Sequence, residues 1–439
     1  MKTSLLIKNA RQLDPVSGRE TTGDVLIVDG RIASLDTRPS TPATRPSTLD
    51  TLDASGLVVA PGLIDLHVHL REPGGEAAET IETGSRAAAR GGFTAVVAMP
   101  NTTPAHATPD IIQLVLQRGA AAGLTRVLPS GCVTKDRKGL EMANLAALAA
   151  AGAAAFTDDG GVIPHAALLE KALQESKRLG LVLMEHAEDH ALEKAGVMHA
   201  GEHATRCNLP GVPSEAEAKI VARDIALAES TGAAVHIQHV SAAESVALIR
   251  AGRARGVRVT GEVTPHHLAL TDADVQADNP GAYKMNPPLR SAADRAALIA
   301  GLCDGTLTSL ATDHAPHTAE AKARGFLHAP SGIIGLETAV GVTFTELVKK
   351  NRMDLLAWLR LWTTGPAAVL GLPPPSLAVG AVADLVLLDL DSEWIVNPAE
   401  FATKSRNTPF GGWQLTGRAA ATVLGGKITW LADAARLKK

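Results

Sequence analysis

His67-Val68-His69 closes the apolar run Leu63-Ile64-Asp65-Leu66. Alternate residues of a strand point to one side, so both imidazoles can reach one point in space. Neutral imidazole is the commonest protein ligand for zinc and similar ions, and two on one face are the start of a metal site. Four further apolar runs end in side chains able to ligate: Ala155-Phe156-Thr157-Asp158-Asp159, Leu181-Val182-Leu183-Met184-Glu185-His186, Val235-His236-Ile237-Gln238-His239 and Leu310-Ala311-Thr312-Asp313. Singly, each has a bland reading: His186 and His239 as satisfied core histidines, Asp159 as a turn residue, Asp313 as a helix cap. Together His67, His69, Asp159, His186, His239 and Asp313 supply four imidazoles and two carboxylates, a donor mixture suited to zinc or a similar divalent ion. Two metals with a carboxylate between them acidify a shared water near neutral pH and polarise the carbonyl it attacks. The chemistry implied is hydrolysis.

These ligands need a frame that brings distant strand ends together. Short apolar runs end near His69, Asn101, Gly131, Asp159, His186, His239, Val263 and Asp313, and segments of helical composition separate most of them: Glu79–Arg90, Pro109–Ala122, Ala166–Leu179, Glu215–Thr231 and Ala242–Arg255. Eight strands separated by helices is the count of a (β/α)8 TIM barrel, whose active sites lie at the C-terminal ends of the strands. A doubly wound open sheet is the main competitor, but no Gly-rich phosphate loop follows any of these strands. At the N-terminal end Asp24–Val28 and Arg31–Leu35 flank Asp29-Gly30, a type I′ hairpin signature. Strands are also expected at Ala383–Asp389, Ala420–Leu424 and on to Trp430, so both termini contribute to one small β domain. Asp36–Asp50, rich in Pro, Ser and Thr, reads as an exposed, mobile loop.

With 439 residues, 46% hydrophobic and 20% charged, the chain can bury a large core. A net charge of −4 without long runs of one sign, and only 3% aromatic residues, argue against a nucleic-acid partner or a membrane surface. Cys132, Cys207 and Cys303 are widely spaced and form no C-x-x-C pair, so no disulfide framework is expected. The first residues lack the apolar length of a signal peptide, and no apolar stretch approaches the roughly 20 residues that cross a bilayer. A cytoplasmic location is the expectation. The small residues of Ala143–Ala155 suggest tight helix packing.

The string His67-Val68-His69-Leu70-Arg71-Glu72-Pro73-Gly74-Gly75 resembles the signature of the dihydroorotases, in the cyclic amidohydrolase group of the amidohydrolase superfamily. Met99-Pro100-Asn101-Thr102, Phe156–Gly160, Glu262–His267, Lys284–Arg290 and Ala311–His317 match in the same way, and the pattern is closest to the bacterial class I type. The resemblance implies a TIM barrel over 61–372 and a small β-sandwich domain formed by 1–60 and 373–439. It also implies a function: reversible hydrolysis of (S)-dihydroorotate to N-carbamoyl-L-aspartate in de novo pyrimidine synthesis. Two zinc ions per subunit are expected, the first held by His67, His69 and Asp313, the second by His186 and His239, with Asp159 bridging. Many relatives bridge with a carboxylated lysine, but no lysine lies in Ala151–Gly161.

By the same resemblance a hydroxide held between the metals attacks the ring amide, and Asp313 acts as general base and then acid. The substrate carboxylate calls for a bidentate donor that stays charged, which Arg71 supplies two residues beyond His69. Asn101 and His317 match family positions that contact the same carboxylate. His69 also falls within the substrate-binding set, and Asn286 is expected to hydrogen-bond the ring. Ala329–Gly335, with Ser331 and Gly332 at its centre, resembles a loop that offers backbone groups to the ring; many relatives have an aromatic where Ser331 stands. Asp158, His106, His236, His266, His267 and His314 are expected to be structural or supporting. Family analogy raises a homodimer and an association with aspartate transcarbamoylase. Competing readings are an allantoinase or hydantoinase, which share the metal core, and an inactive homologue that scaffolds the transcarbamoylase.

Overall fold

Eight short apolar runs form a parallel barrel, as their alternation with helical segments predicts. The structure is a computed structural model that describes residues 4–36, 49–276, 278, 281–433 and 436–438. The barrel strands are β1 (Leu63–Val68), β2 (Phe93–Ala98), β3 (Arg126–Gly131), β4 (Ala155–Phe156), β5 (Leu183–Glu185), β6 (Val235–Ile237), β7 (Val259–Val263) and β8 (Ser309–Leu310). They pair in chain order, each parallel to the next. Just beyond β8 the ring closes: Val68 and His314 form a parallel bridge, and the His69 amide donates to the His314 carbonyl at 2.8 Å.

Asp65, wholly buried in β1, ties this seam. Its Oδ1 accepts from the amides of His67 (3.1 Å) and Thr312 (3.0 Å), and its Oδ2 from the Thr312 hydroxyl (2.6 Å). Buried carboxylates are tolerated when their lone pairs are met in this way. The two strand ends carrying His67, His69 and Asp313 are thereby held in register.

Helices Pro109–Ala122, Ala166–Leu179 and Glu215–Thr231 occupy the expected spans, and Ile81–Gly91 and Ala243–Ala254 lie within two residues of theirs. Thr80 caps the first through a reciprocal capping box with Thr83, worth about 1 kcal/mol. The small-residue stretch Ala143–Ala155 is a helix only over Leu145–Ala150. Gly152, at φ +103°, turns the chain, and Ala155 already belongs to β4.

Strands from both termini share a nine-stranded sheet. Ser4–Asp14, Arg19–Val28, Arg31–Asp36, Asp50–Asp53 and Val58–Pro61 come from the N-terminal part; Leu385–Ile395, Gln414–Leu424, Lys427–Leu431 and Leu437–Lys438 come from the C-terminal part. Antiparallel pairing of Val58–Pro61 with Leu385–Leu388 joins the two. Asp29 (φ +50°) and Gly30 (φ +77°) make the hairpin turn that their sequence predicts. That turn meets the Gly425-Gly426 turn at the other end of the sheet, where a Cβ on Gly30 would stand 2.9 Å from the Gly425 carbonyl oxygen. The sheet therefore curls over its own core, which includes Leu5, Ile27, Val59, Leu387 and Val423. Residues 37–48 of the expected mobile loop lie outside the described residues.

One feature was not predicted. Between Leu385–Ile395 and Gln414–Leu424 the chain leaves the sheet and returns over the C-terminal mouth of the barrel, burying Thr403, Ser405 and Asn407. Among the described residues no helix is long and apolar enough to cross a membrane.

Candidate active site

The C-terminal end of β1 and the loops that leave β1, β4, β5, β6 and β8 bring the six predicted ligands into one buried cluster. His67 Nε2 lies 3.2 Å from Asp159 Oδ1 and 3.4 Å from Asp313 Oδ1. His69 Nε2 stands 3.0 Å from Asp313 Oδ1 and 3.5 Å from Asp159 Oδ2. On the other side His186 Nδ1 and His239 Nε2 are 2.8 Å apart, at 3.6 and 3.7 Å from Asp159 Oδ1. Asp159 is thus the one carboxylate shared between the two halves. Its neighbour Asp158 faces away and accepts from the amides of Val133 (2.8 Å) and Thr134 (3.1 Å), a structural task.

His67, His69 and Asp313 form one group able to hold a metal ion, and His67, Asp159 and His239 form another. Supporting contacts aim the ligand atoms inward. The His67 Nδ1–H donates to Glu262 Oε1 at 2.9 Å, which turns Nε2 toward the two carboxylates, where it has no hydrogen-bond partner. The His69 Nδ1–H donates to Asn101 Oδ1 at 2.8 Å, which turns its Nε2 toward Asp313 Oδ1, 3.0 Å away. A buried imidazole nitrogen without a hydrogen-bond partner, facing two carboxylates, fits a divalent cation.

Electrostatics agree with that fit. Burial opposes charge on His67, yet the Asp313 and Asp159 carboxylates raise its pKa well above the ordinary value. His186 is lifted against its own burial to about 10 by Asp159 and Glu188. Both carboxylates are held below their usual range despite burial, Asp159 by His67, His186 and His239, and Asp313 by His67 and His69. The cluster calls for positive charge, which protons or a metal can supply. The backbone is also strained here: Arg71 (φ +60°), His239 (φ +32°) and Asp313 (φ +45°) lie in the left-handed region. Each costs about 1–2 kcal/mol and persists because its surroundings over-determine it.

A cavity of about 290 Å³ opens above the cluster, lined by His69, Arg71, Asn101, Asn286, His317 and Ser331 together with Asp159, His186, His239 and Asp313. Arg71 donates to the Pro316 carbonyl through Nε at 3.1 Å. Burial lowers its pKa only to about 10, so it stays charged at neutral pH. His317, pushed down to about 3 by burial and by Arg71 and Lys322, is neutral and donates to the Ser331 carbonyl at 2.8 Å. Asn286 donates to Glu188 Oε2 at 2.6 Å. Gly332 differs from expectation. Its amide donates to the Lys284 carbonyl and its own carbonyl accepts from Lys322 and Asn407, so both of its backbone groups are used within the protein.

Sequence reasoning left Glu262 and Glu188 without roles. Glu262 touches His67 and the buried His236, and these hold its carboxyl down to about 2 despite burial. The available signal was its place on β7, facing into a barrel whose neighbouring strands carry histidines. Glu262→Gln is expected to weaken binding of an added divalent metal about 10–100-fold, measured by competition with a chelator, because the anion that orients His67 is lost. Of the histidines set aside, His106 bonds the Ser130 carbonyl, His267 the Thr264 hydroxyl and the Pro287 carbonyl, and His314 contacts Glu79.

A family model described as Dihydro-orotase-like matches residues 56–245. The chain is 50% identical to a protein named dihydroorotase from Pelotomaculum thermopropionicum, over 97% of this chain and 98% of that one. It is 48% identical to another of that name from Anaeromyxobacter dehalogenans (strain 2CP-C), over 98% of each. Among solved structures, the L-hydantoinase (dihydropyrimidinase) of Arthrobacter aurescens superimposes with a TM-score of 0.84 at 27% identity, covering 98% of this chain and 96% of that one. The fold is that of the cyclic amidohydrolases, and near-full-length identity at this level shows that the chain belongs to the dihydroorotase family of hydrolases.

Proposed function

We propose that the protein hydrolyses (S)-dihydroorotate to N-carbamoyl-L-aspartate, and closes the ring in the reverse direction, in cytoplasmic pyrimidine synthesis. The observation that carries this reading is Arg71: a guanidinium charged at neutral pH on the wall of the same small cavity as the Asp159–Asp313 cluster. Hydantoin and allantoin carry no carboxylate for it to bind, and dihydroorotate does. The free cysteines support a reducing compartment. Family analogy alone extends the reading to a homodimer and to association with aspartate transcarbamoylase.

Two zinc ions, one held by His67, His69 and Asp313 and one by His186 and His239 with Asp159 between them, would supply an acidified water and a polarised amide carbonyl. Arg71 binds the carboxylate and fixes which ring carbonyl faces the cluster. Asn101 spends its carbonyl on His69 and keeps its amide N–H groups for the substrate. Asn286 stands where it can bond the ring. Asp313, ionised at neutral pH, takes a proton from the attacking water and returns it to the departing ring nitrogen. The C–N bond breaks as the C–O bond forms, and the same residues run the reverse reaction.

The test is dihydroorotate turnover by metal-depleted protein with zinc added back, with hydantoin and allantoin alongside. Zinc-dependent turnover of dihydroorotate alone is expected. Arg71→Met is expected to raise KM about 100-fold while zinc stays bound, since a buried bidentate ion pair is lost. Turnover of hydantoin or allantoin in place of dihydroorotate would overturn the substrate assignment. No turnover with two zinc ions bound would point to the non-catalytic scaffold.

A further inference from the structure

The segment that returns from the terminal sheet over the barrel mouth ends on Asn407, which is buried. Every polar atom of its carboxamide is used. Nδ2 donates to the carbonyls of Ala315 (2.9 Å) and Gly332 (3.0 Å), and Oδ1 accepts from the His317 amide (3.1 Å). Two carbonyls on one side and an N–H on the other admit a single orientation of the amide. Its main-chain carbonyl accepts from the Ile334 amide at 3.0 Å. One residue therefore joins the stretch after β8, residues 315–317, to the stretch 332–334.

Between those two stretches lie His317 and Ser331, both on the cavity wall and bonded to each other. Lys322 reaches the same Gly332 carbonyl at 2.8 Å from within the intervening loop and also holds the Pro330 carbonyl at 2.8 Å. Among the described residues, none in the barrel duplicates the contact of Asn407 with the His317 amide. A buried amide or carbonyl stripped of its partner is costly, so removing this side chain favours a loop that moves toward water.

We propose that Asn407 is a positioning residue for the substrate: through the Ala315 and Gly332 carbonyls and the His317 amide, it sets the loop wall against which the ring and its carboxylate are held. The proposal rests on the dihydroorotase reading in one respect, that the ring lies against His317 and Ser331. It assigns a task in substrate binding to the C-terminal part of the chain, which supplies none of the metal ligands.

The test compares zinc-loaded wild type with Asn407→Ala. KM for dihydroorotate and Ki for orotate, a planar ring with the same carboxylate, are expected to rise together by about tenfold, with kcat within about threefold. Zinc content and affinity for acetohydroxamate, a chelator too small to reach the loop, should not change. Amide hydrogen exchange should rise in peptides covering residues 313–335. Unchanged KM and exchange would overturn the proposal. So would a parallel loss of zinc, acetohydroxamate affinity and kcat, which marks a general structural role. Should Asn407→Ala not fold, Asn407→Asp keeps an acceptor for the His317 amide, loses both donations to the Ala315 and Gly332 carbonyls, and is read against the same outcomes. A wild type that does not turn over dihydroorotate would sink the functional reading, and hydrogen exchange at 313–335 then decides the positioning role by itself.

Discussion

Asp313→Asn is expected to lower kcat for dihydroorotate by about a thousandfold or more, the scale of a general acid–base group lost together with a ligand charge. The substitution isolates chemistry from folding. Asparagine has nearly the same size and tolerates the left-handed backbone that position 313 adopts at φ +45°. An amide oxygen can still face His69 Nε2, which lies 3.0 Å from Asp313 Oδ1. What is lost is a carboxylate able to take a proton from water and pass it to the ring nitrogen. Steady-state kinetics, zinc per chain and thermal midpoint, read together, test this. A kcat within about tenfold of wild type, with the fold and zinc intact, would remove Asp313 from the proton path.

Asp159→Ala is expected to abolish turnover by a different route, through the metals. Asp159 is the carboxylate within 3.7 Å of all four cluster histidines. On the two-zinc reading its loss should reduce bound zinc from about two per chain to one or fewer, and with it the acidified water. The same residue governs the pH dependence of metal binding. A zinc ligand must be a neutral imidazole, so protons compete with the metal. His186, lifted to about 10, and His67, raised well above its ordinary value, both hold protons at pH 7 in the metal-free protein. Zinc uptake at pH 7 should therefore release about two protons, and affinity should rise as pH rises. Titration calorimetry in buffers of different ionisation enthalpy reads that number. Without the Asp159 charge the two pKa values fall, and fewer protons should be released. Equal proton release in the two proteins would show that Asp159 does not set the charge of the cluster.

Much of this site was legible in the sequence because a barrel strand is short and its ending is local. His67 lies at the C-terminal end of β1 and His69 just past it, and β4, β5, β6 and β8 stop one to three residues before their ligands, so apolar runs ending in His or Asp show this directly. Helices such as Pro109–Ala122 were equally plain, with proline at the first turn and Gly123 as a left-handed cap. Ala143–Ala155 holds a packed helix over Leu145–Ala150, but its extent was not legible, because alanine fills helices and barrel crossings alike and only the turn at Gly152 separates them.

The sequence by itself determined which side chains can ligate, the order in which strands deliver them, and that a charged arginine leaves the first strand beside them. Periodicity, composition and spacing are properties of neighbours along the chain, and they carry that much. The tertiary structure alone decided which groups complete the site from afar. Glu262 reaches His67 across 195 residues, Asp65 ties Thr312 across 247, and Asn407 holds the Gly332 carbonyl across 75. A glutamate, an aspartate and an asparagine have no distinguishing local pattern. Their roles come from barrel closure and from a C-terminal segment that crosses the barrel mouth, where burial makes each unpaired hydrogen-bonding group costly enough to select one partner.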